Sequence, residues 1–504
     1  CFPVPQMSRK SVDNFQRLDY GPFSPADTTA PPLSEIEAIW QEQYVPGLAS
    51  YDVACPELGR GIPSLGLGAY WAQRASYYDN LPKLKEIADM LTETQYTAAN
   101  APLPLVTHPG LYAYYYAGNN GGPCSLNGVP GSATAMLCQA VPELCVTYNN
   151  GQFAGRQFGV NDHQIQDDQI IGDIGGAGFD QGWAGVFMLE SALQQPDPTD
   201  REKYLASALL ASEWAMQHPL VTNHNYTAKL IWLLAQLYAV TGREDFKNSL
   251  VEKLESNLLP GVLMDIDEDG FVDGMAPPVA FADLHPIAQI PGRTWDGHNA
   301  LPWYHSMNAW AMLEAYVAFR DRGNDELAAR YKPYAIAMLD NLAHEFLQIG
   351  LPEPDGPGNR DIPFSLLLGT WKLAQYEEEA HPSWQQAAWA IWNSGVFTQS
   401  LGMKGVNVPL YIFIRASIPY EPLPSLSSTF EPNAQESNFT IFPNPCSSAL
   451  SWTSASPWDI QHINIRNQAG ELVRIIPGPF TEEHFINISA LKNGLYFIEA
   501  VQNN

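Results

Sequence analysis

Residues 227–240, TAKLIWLLAQLYAV, are apolar on nearly every side of the helix that they spell. A helix of that kind has no face for water, so other elements must enclose it. From about residue 31 to 416 the pattern alternates: a helix, a loop rich in Gly, Pro, Asn or Asp, then another helix. TDREKYLASALLASEWAMQ (199–217) opens with Thr199 and Glu202 at capping-box spacing and sets Leu205, Ala208 and Leu209 on one side. GREDFKNSLVEKLESNLL (242–259) carries Phe246, Leu250, Leu254 and Leu258 along one stripe with charges around the rest, as an outer helix should. Further helices are expected near 33–44, 68–95, 132–143, 181–195, 302–321, 325–347, 363–379 and 383–397.

A ring of helical hairpins accounts for the alternation, because one helix of each pair is enclosed and its partner coats it. The expectation is a mainly α domain over 31–416. It resembles in architecture the (α/α)6 toroid shared by many glycoside hydrolases and polysaccharide lyases. A helical solenoid is the competing layout, but no repeat of fixed length is present. Residues 1–30 read as an extended segment. The chain starts at Cys1, which is read as the residue left by a cleaved targeting peptide, with lipid modification as the alternative. Disulfides among Cys55, Cys124, Cys138 and Cys145 suit an exported chain.

The formal charge of −28, from 54 acidic against 26 basic residues, repels phosphate backbones and anionic membranes. Nucleic acid is thereby disfavoured as a partner. No run approaches the ~20 apolar residues of a membrane helix. No phosphate loop, G-x-S-x-G elbow or H-E-x-x-H helix is found, so nucleotide, serine-hydrolase and zincin chemistry lack support.

Beyond residue 416 the composition changes. The stretch 417–437 is rich in Pro and Ser and reads as a linker. Residues 438–504 then alternate apolar and polar around turn signals at Gln468-Ala469-Gly470 and Lys492-Asn493-Gly494, the pattern of a small antiparallel β-sandwich. Three landmarks follow in order: FPNP at Phe442–Pro445, the strand pair around NQAGELV (467–473), and ISALKNGLYFI (488–498). In these the tail resembles the C-terminal sorting domain of proteins exported by the type IX secretion system of Bacteroidetes. The resemblance implies a secreted or cell-surface protein that engages the secretion machinery. A carbohydrate-binding or immunoglobulin-like sandwich is the alternative for this segment.

Three stretches carry residues suited to chemistry. DIDEDGFVD supplies Asp265, Asp267, Asp269 and Asp273, with the Phe271 carbonyl as a further oxygen and Gly270 at the sharp turn. That is the ligand spacing of a calcium loop without the closing glutamate of an EF-hand, so a structural Ca2+ is expected, against a solvated acidic turn. GRTWDGHNALPWYHSMNAW (292–310) places Trp295, Asp296 and His298 just before a helix that starts at Pro302, with Trp303 and His305 in its first turns. Asp296, His298 and His305 are candidate proton donors or acceptors, and Trp295 and Trp303 are flat faces for a sugar. The bland alternative makes the tryptophans core residues and His305 a buried, hydrogen-bonded histidine. In 159–185 the acid run ends at Asp180, close to Trp183. His224 and Arg360 each stand at the start of another helix as candidate substrate contacts.

A glycosidase needs two carboxylates about 5 to 10 Å apart, and Asp180 with Asp296 is the candidate pair. The expected function is an exported carbohydrate-active enzyme, a glycoside hydrolase in preference to a lyase, acting on a polysaccharide or oligosaccharide. The alternative is a non-catalytic extracellular scaffold, filament or glycan-binding surface protein that self-associates.

Overall fold

The computed structural model describes residues 27–51, 53, 61–95, 112, 114–115, 145–147, 157–159, 175–217, 224–262, 264, 292–294, 302–344, 347, 361–376, 379–394, 407–415 and 418–426. In the tail it describes 439–442, 449–454, 460–467, 472–477, 483–487 and 496–502. The Asp265–Asp273 loop, Trp295, Asp296, His298, Arg360 and the helix expected at 132–143 lie outside these residues. Contacts divide the chain into two units, 1–426 and 427–504.

The first unit is mainly α. In chain order its helices are α1 (Leu33–Ile39), which runs through a π-turn at Trp40–Tyr44 into α2 (Val45–Ala49), then α3 (Gly61–Arg74), α4 (Leu81–Thr94), α5 (Gly175–Gln194) and α6 (Pro198–Gln217). They continue with α7 (His224–Thr241), α8 (Glu244–Lys253), α9 (Pro302–Asp321), α10 (Asp325–His344), α11 (Asp361–Leu373), α12 (Pro382–Asn393) and α13 (Asn407–Arg415). Short strands β1 (Tyr114–Tyr115), β2 (Cys145–Thr147) and β3 (Gln157–Gly159) form a small sheet in the order β1-β3-β2.

The apolar helix does what its composition demands: α7 is buried along almost its whole length. On α8 and its continuation, Phe246, Leu250, Leu254 and Leu258 are fully buried while Glu244 and Asp245 face water. Full burial of such side chains stabilises by roughly 1.5–3 kcal/mol each. The start of α6 differs from the capping box read at Thr199–Glu202. The helix begins at Pro198, and Asp197 Oδ1 accepts from the Thr199 and Asp200 amides at 2.8 and 3.2 Å. Those bonds hold the Asp197 carboxyl below its usual range. An aspartate one residue before a proline at the first helical position outcompetes the threonine for the cap.

Helix contacts form a closed cycle. α3 packs on α5, α5 on α7, α7 on α9, α9 on α11, α11 on α13, and α13 on α3. The second set, α1, α4, α6, α8, α10 and α12, packs against members of this cycle. Close approach inside the cycle depends on glycine. A Cβ on Gly182 of α5 would lie 2.4 Å from the Lys229 backbone, and one on Gly185 2.6 Å from Leu233, both on α7.

Each helix of the cycle from α3 to α11 leads into its outer partner through a short connection: 75–80, 195–197, 242–243, 322–324 and 374–381. Gly242 and Gly323 terminate α7 and α9 with φ of +68°, the left-handed C′ position that a side chain would strain. The return connections are 50–60, 95–174, 218–223, 262–301, 345–360 and 394–406, and all but 218–223 are longer than any of the short set. They all enter the N-terminal ends of the inner helices.

The second unit carries β4 (Phe439–Phe442), β5 (Ala449–Ser454), β6 (Ile460–Asn467), β7 (Leu472–Pro477), β8 (Glu483–Asn487) and β9 (Tyr496–Gln502). They form two antiparallel three-stranded sheets, β4-β5-β8 and β7-β6-β9. The strands that flank Gln468-Ala469-Gly470, β6 and β7, pair antiparallel; those three residues lie outside the described ones. The strands flanking Lys492-Asn493-Gly494 do not pair with each other: β8 pairs with β5 and β9 with β6. Local alternation marks a strand but not its partner, which is set by the fold of the whole unit.

Candidate functional site

The inner faces of the cycle converge on one interior, and α7 shows how. Asn225, Lys229, Trp232 and Gln236 sit at i, i+4, i+7 and i+11, a spacing that puts them on one helix face. All four are buried. The face therefore runs along the interior from the end where the long connections enter towards the end closed by short turns.

At the short-turn end a cleft holds about 360 Å³ of space, part of it open to solvent. Its charges are paired. Arg74 of α3 donates to both Glu190 oxygens at 2.7 and 2.8 Å. Lys372 of α11 donates to Glu314 Oε2 of α9 at 2.7 Å, and Gln236 donates to the same oxygen at 2.6 Å. Burial by itself would ease the Arg74 proton off, but Glu190 outweighs it and the pKa rises. The contributing residues come from the C-terminal halves of α3, α5, α7, α9 and α11, so these helices run in the same direction.

Residues 418–426, read from sequence as part of the linker, pack across this end and belong to the helical unit. Trp371 Nε1 donates to the Ile418 carbonyl at 3.0 Å, Tyr420 donates to Asp321 at 2.6 Å, and the Leu426 amide donates to the Val240 carbonyl at 2.9 Å. Burial, reinforced by Asp321, pushes the Tyr420 hydroxyl far up, so it stays a donor. Tyr420 and Leu423 form one wall of the cleft.

The middle of the interior is filled by rings. Trp71 stacks on Phe364 at 5.1 Å, Phe364 meets Trp310 at 4.2 Å, and Trp310 meets Trp232 at 4.2 Å. Trp183 stands edge-on to Trp232 and Trp310 at 5.2 and 5.1 Å. Lys229 Nζ lies 3.5 Å from the Trp310 ring centre, 4.5 Å from Trp183 and 5.6 Å from Trp232. These distances place Lys229 in cation–π range of three indoles.

Of the residues singled out from sequence, Trp183 is in this cluster, 3% exposed. Asp180 lies on α5 one turn before it, and Trp303 is the second residue of α9; their side chains are outside the described residues. His224 is the first residue of α7 and half-buried. His305 is fully buried and accepts from the Thr294 amide at Nδ1, 3.1 Å, with the Thr294 hydroxyl 2.8 Å from the same nitrogen. Burial, then the nearby Arg293, holds its pKa well below the usual histidine value, so it is neutral. This is the buried, hydrogen-bonded histidine of the alternative reading. It fixes Thr294 beside Gly292, whose φ of +90° permits an approach to the Ala337 carbonyl that a Cβ, at 2.2 Å, would block.

Lys229, Trp232 and Trp310, and the pairs Arg74–Glu190 and Lys372–Glu314, escaped the sequence reading, whereas Asn225 was expected from sequence, beside His224, as a residue facing the cavity. The signal was present on α7: three polar residues in an apolar helix, all on one face. Its partners on other helices left no local trace.

Residues 440–504 match the family model described as the secretion system C-terminal sorting domain. The tail thus marks this protein for export by type IX secretion to the cell surface or the extracellular space, and the secretion machinery is a partner. Neither a curated protein nor a solved structure matches the chain. Among the described residues, no helix is long and apolar enough to cross a membrane.

Proposed function

We propose that the helical unit is an (α/α)6 toroid, that the tail is a β-sandwich, and that the exported protein is a carbohydrate-active enzyme, a glycoside hydrolase using paired carboxylates. The observation that carries the reading is the closed cycle of six helices, backed by a second set, with every long connection at one end. Long loops on a rigid scaffold are where binding and catalytic groups concentrate. Asp296 and Asp180 are the proposed acids, one in such a connection and the other in the first turns of α5. Asp265, Asp267, Asp269, Asp273 and the Phe271 carbonyl are the proposed ligands of a structural Ca2+ in the connection before α9.

The test is release of reducing ends from a broad polysaccharide panel by the purified chain, with and without chelator, beside Asp296→Asn and Asp180→Asn. Loss of hydrolysis of about 100-fold or more in either variant, with an unchanged circular dichroism spectrum, is the expected result for a proton-transferring acid. Silence of the wild type across the panel favours the second reading, an exported scaffold or glycan-binding protein. One observation supports that reading: Glu190 and Glu314, the carboxylates lining the cleft, are each tied to a cation.

A further inference from the structure

Large apolar side chains in the open are few among the described residues: Tyr78, Tyr376, Val473 and Ile475. The two tyrosines belong to the helical unit, and each has a hydroxyl for water. Val473 and Ile475 are 44% and 52% exposed, have no polar side-chain atom, and stand two residues apart on β7. Side chains alternate across a strand, so these two share one face. Ile465 of β6, the register partner of Arg474, is 1% exposed and marks the covered face of this sheet. Val473 and Ile475 therefore belong to the other face, where the row of Ile475 continues through Asn464 of β6 to Glu499 of β9, residue types suited to water.

β7 is also an edge. In the order β7-β6-β9 it pairs with β6, and among the described residues no strand lies on its other side. An edge strand offers a row of main-chain N–H and C=O groups to any extended chain that comes alongside, and proteins that must not be joined there blunt the edge with lysine, proline or a bulge. From Leu472 to Ile476 β7 carries one charge, Arg474, and apolar residues at the other positions. Its proline, Pro477, stands only at the end of the strand, and the irregularity in its pairing falls between Ile465 and Arg466 of β6. An open edge with alternate apolar side chains is what β-augmentation needs: main-chain bonds supply affinity, and pockets for the alternate side chains supply specificity.

We propose that β7 is the strand by which the sorting domain is recognised: an extended segment of the secretion machinery adds to its free edge and takes Val473 and Ile475 into apolar pockets. The occupant follows from the unit in which the strand lies. β7 is within the matched residues 440–504, and the machinery is the partner that this match gives to the tail. The chain's charge of −28 makes copies of it repel one another, which disfavours a second copy on the edge. Two side chains and one strand edge make a small contact, and small contacts suit a signal that must be bound and then released. The inference is independent of what the helical unit does.

The test is export of the full chain by a bacterium that carries type IX secretion, measured as the fraction of the protein on the cell surface or in the medium. Val473→Lys with Ile475→Lys is expected to lower that fraction about tenfold or more, since two apolar side chains lose their burial against the partner. Val473→Thr with Ile475→Thr keeps the β-propensity of the strand and is expected to lower export by a smaller factor. Tyr78→Lys, at an exposed position of the helical unit, is expected to be exported like the wild type. The purified variants are compared with the wild type by circular dichroism and sedimentation. Wild-type export of the folded lysine variant, or of the folded threonine variant where the lysine variant does not fold, overturns the proposal. An equal loss of export in Tyr78→Lys does so too. A wild-type chain that sediments as a dimer and becomes a monomer in the variants gives the edge to a second copy and also overturns it. Loss of folding in both double variants shows that these side chains are packed in solution, with the same consequence.

Discussion

The two halves of the helical interior treat buried polarity in opposite ways. Around Arg74, Glu190, Gln236, Glu314 and Lys372 the charges are matched and a strap from 418–426 lies over them. Around Asn225, Trp183, Trp232 and Trp310 polar atoms are buried without hydrogen-bond partners among the described residues. The difference teaches which half specifies the packing of the helices and which bears a cost for it. A satisfied network specifies one arrangement of helices, while an unsatisfied one carries a standing cost.

The largest effect is expected at the satisfied end. Lys372→Ala would leave Glu314 a buried carboxylate without its cation, at a cost of about 3–5 kcal/mol in denaturant unfolding. Lys372→Met combined with Glu314→Leu should recover nearly all of that loss, since removing both charges avoids the stranded one. If the single variant costs no more than the double, the pair does not hold this end together.

An intermediate effect comes from His305, which anchors Thr294. Its folded pKa lies well below 6.5, so the unfolded chain binds a proton that the folded chain refuses. Stability should therefore fall as pH drops below 6.5, by about 1.4 kcal/mol per unit and about 2 kcal/mol by pH 5. Thermal melts against His305→Gln isolate this contribution, because the variant should lack that part of the slope. Identical slopes would remove His305 as its source.

The smallest effect has the opposite sign. Asn225→Leu removes a buried acceptor that has no partner among the described residues, so it should stabilise the protein by about 1 kcal/mol. A destabilised variant would mean that Asn225 is satisfied in solution, and the contrast between the halves would vanish.

Elements and their burial were readable from residue order because they depend on neighbours along the chain. The all-round apolarity of 227–240 demanded enclosure, the Phe246-Leu250-Leu254-Leu258 stripe demanded one covered side, and both are found. The tail landmarks also declared themselves, since a sorting signal must be recognisable as sequence and short pattern. Where pairing partners are distant, residue order was silent or misleading. It set a turn signal at Lys492-Asn493-Gly494 between two alternating runs, whereas the strands on either side of it belong to different sheets. It gave Trp183 no neighbours, whereas helix packing brings it beside Lys229, Trp232 and Trp310. Periodicity reports which side of an element is apolar. Which other element that side meets depends on closing the cycle from α13 back to α3, and only the folded chain makes that contact.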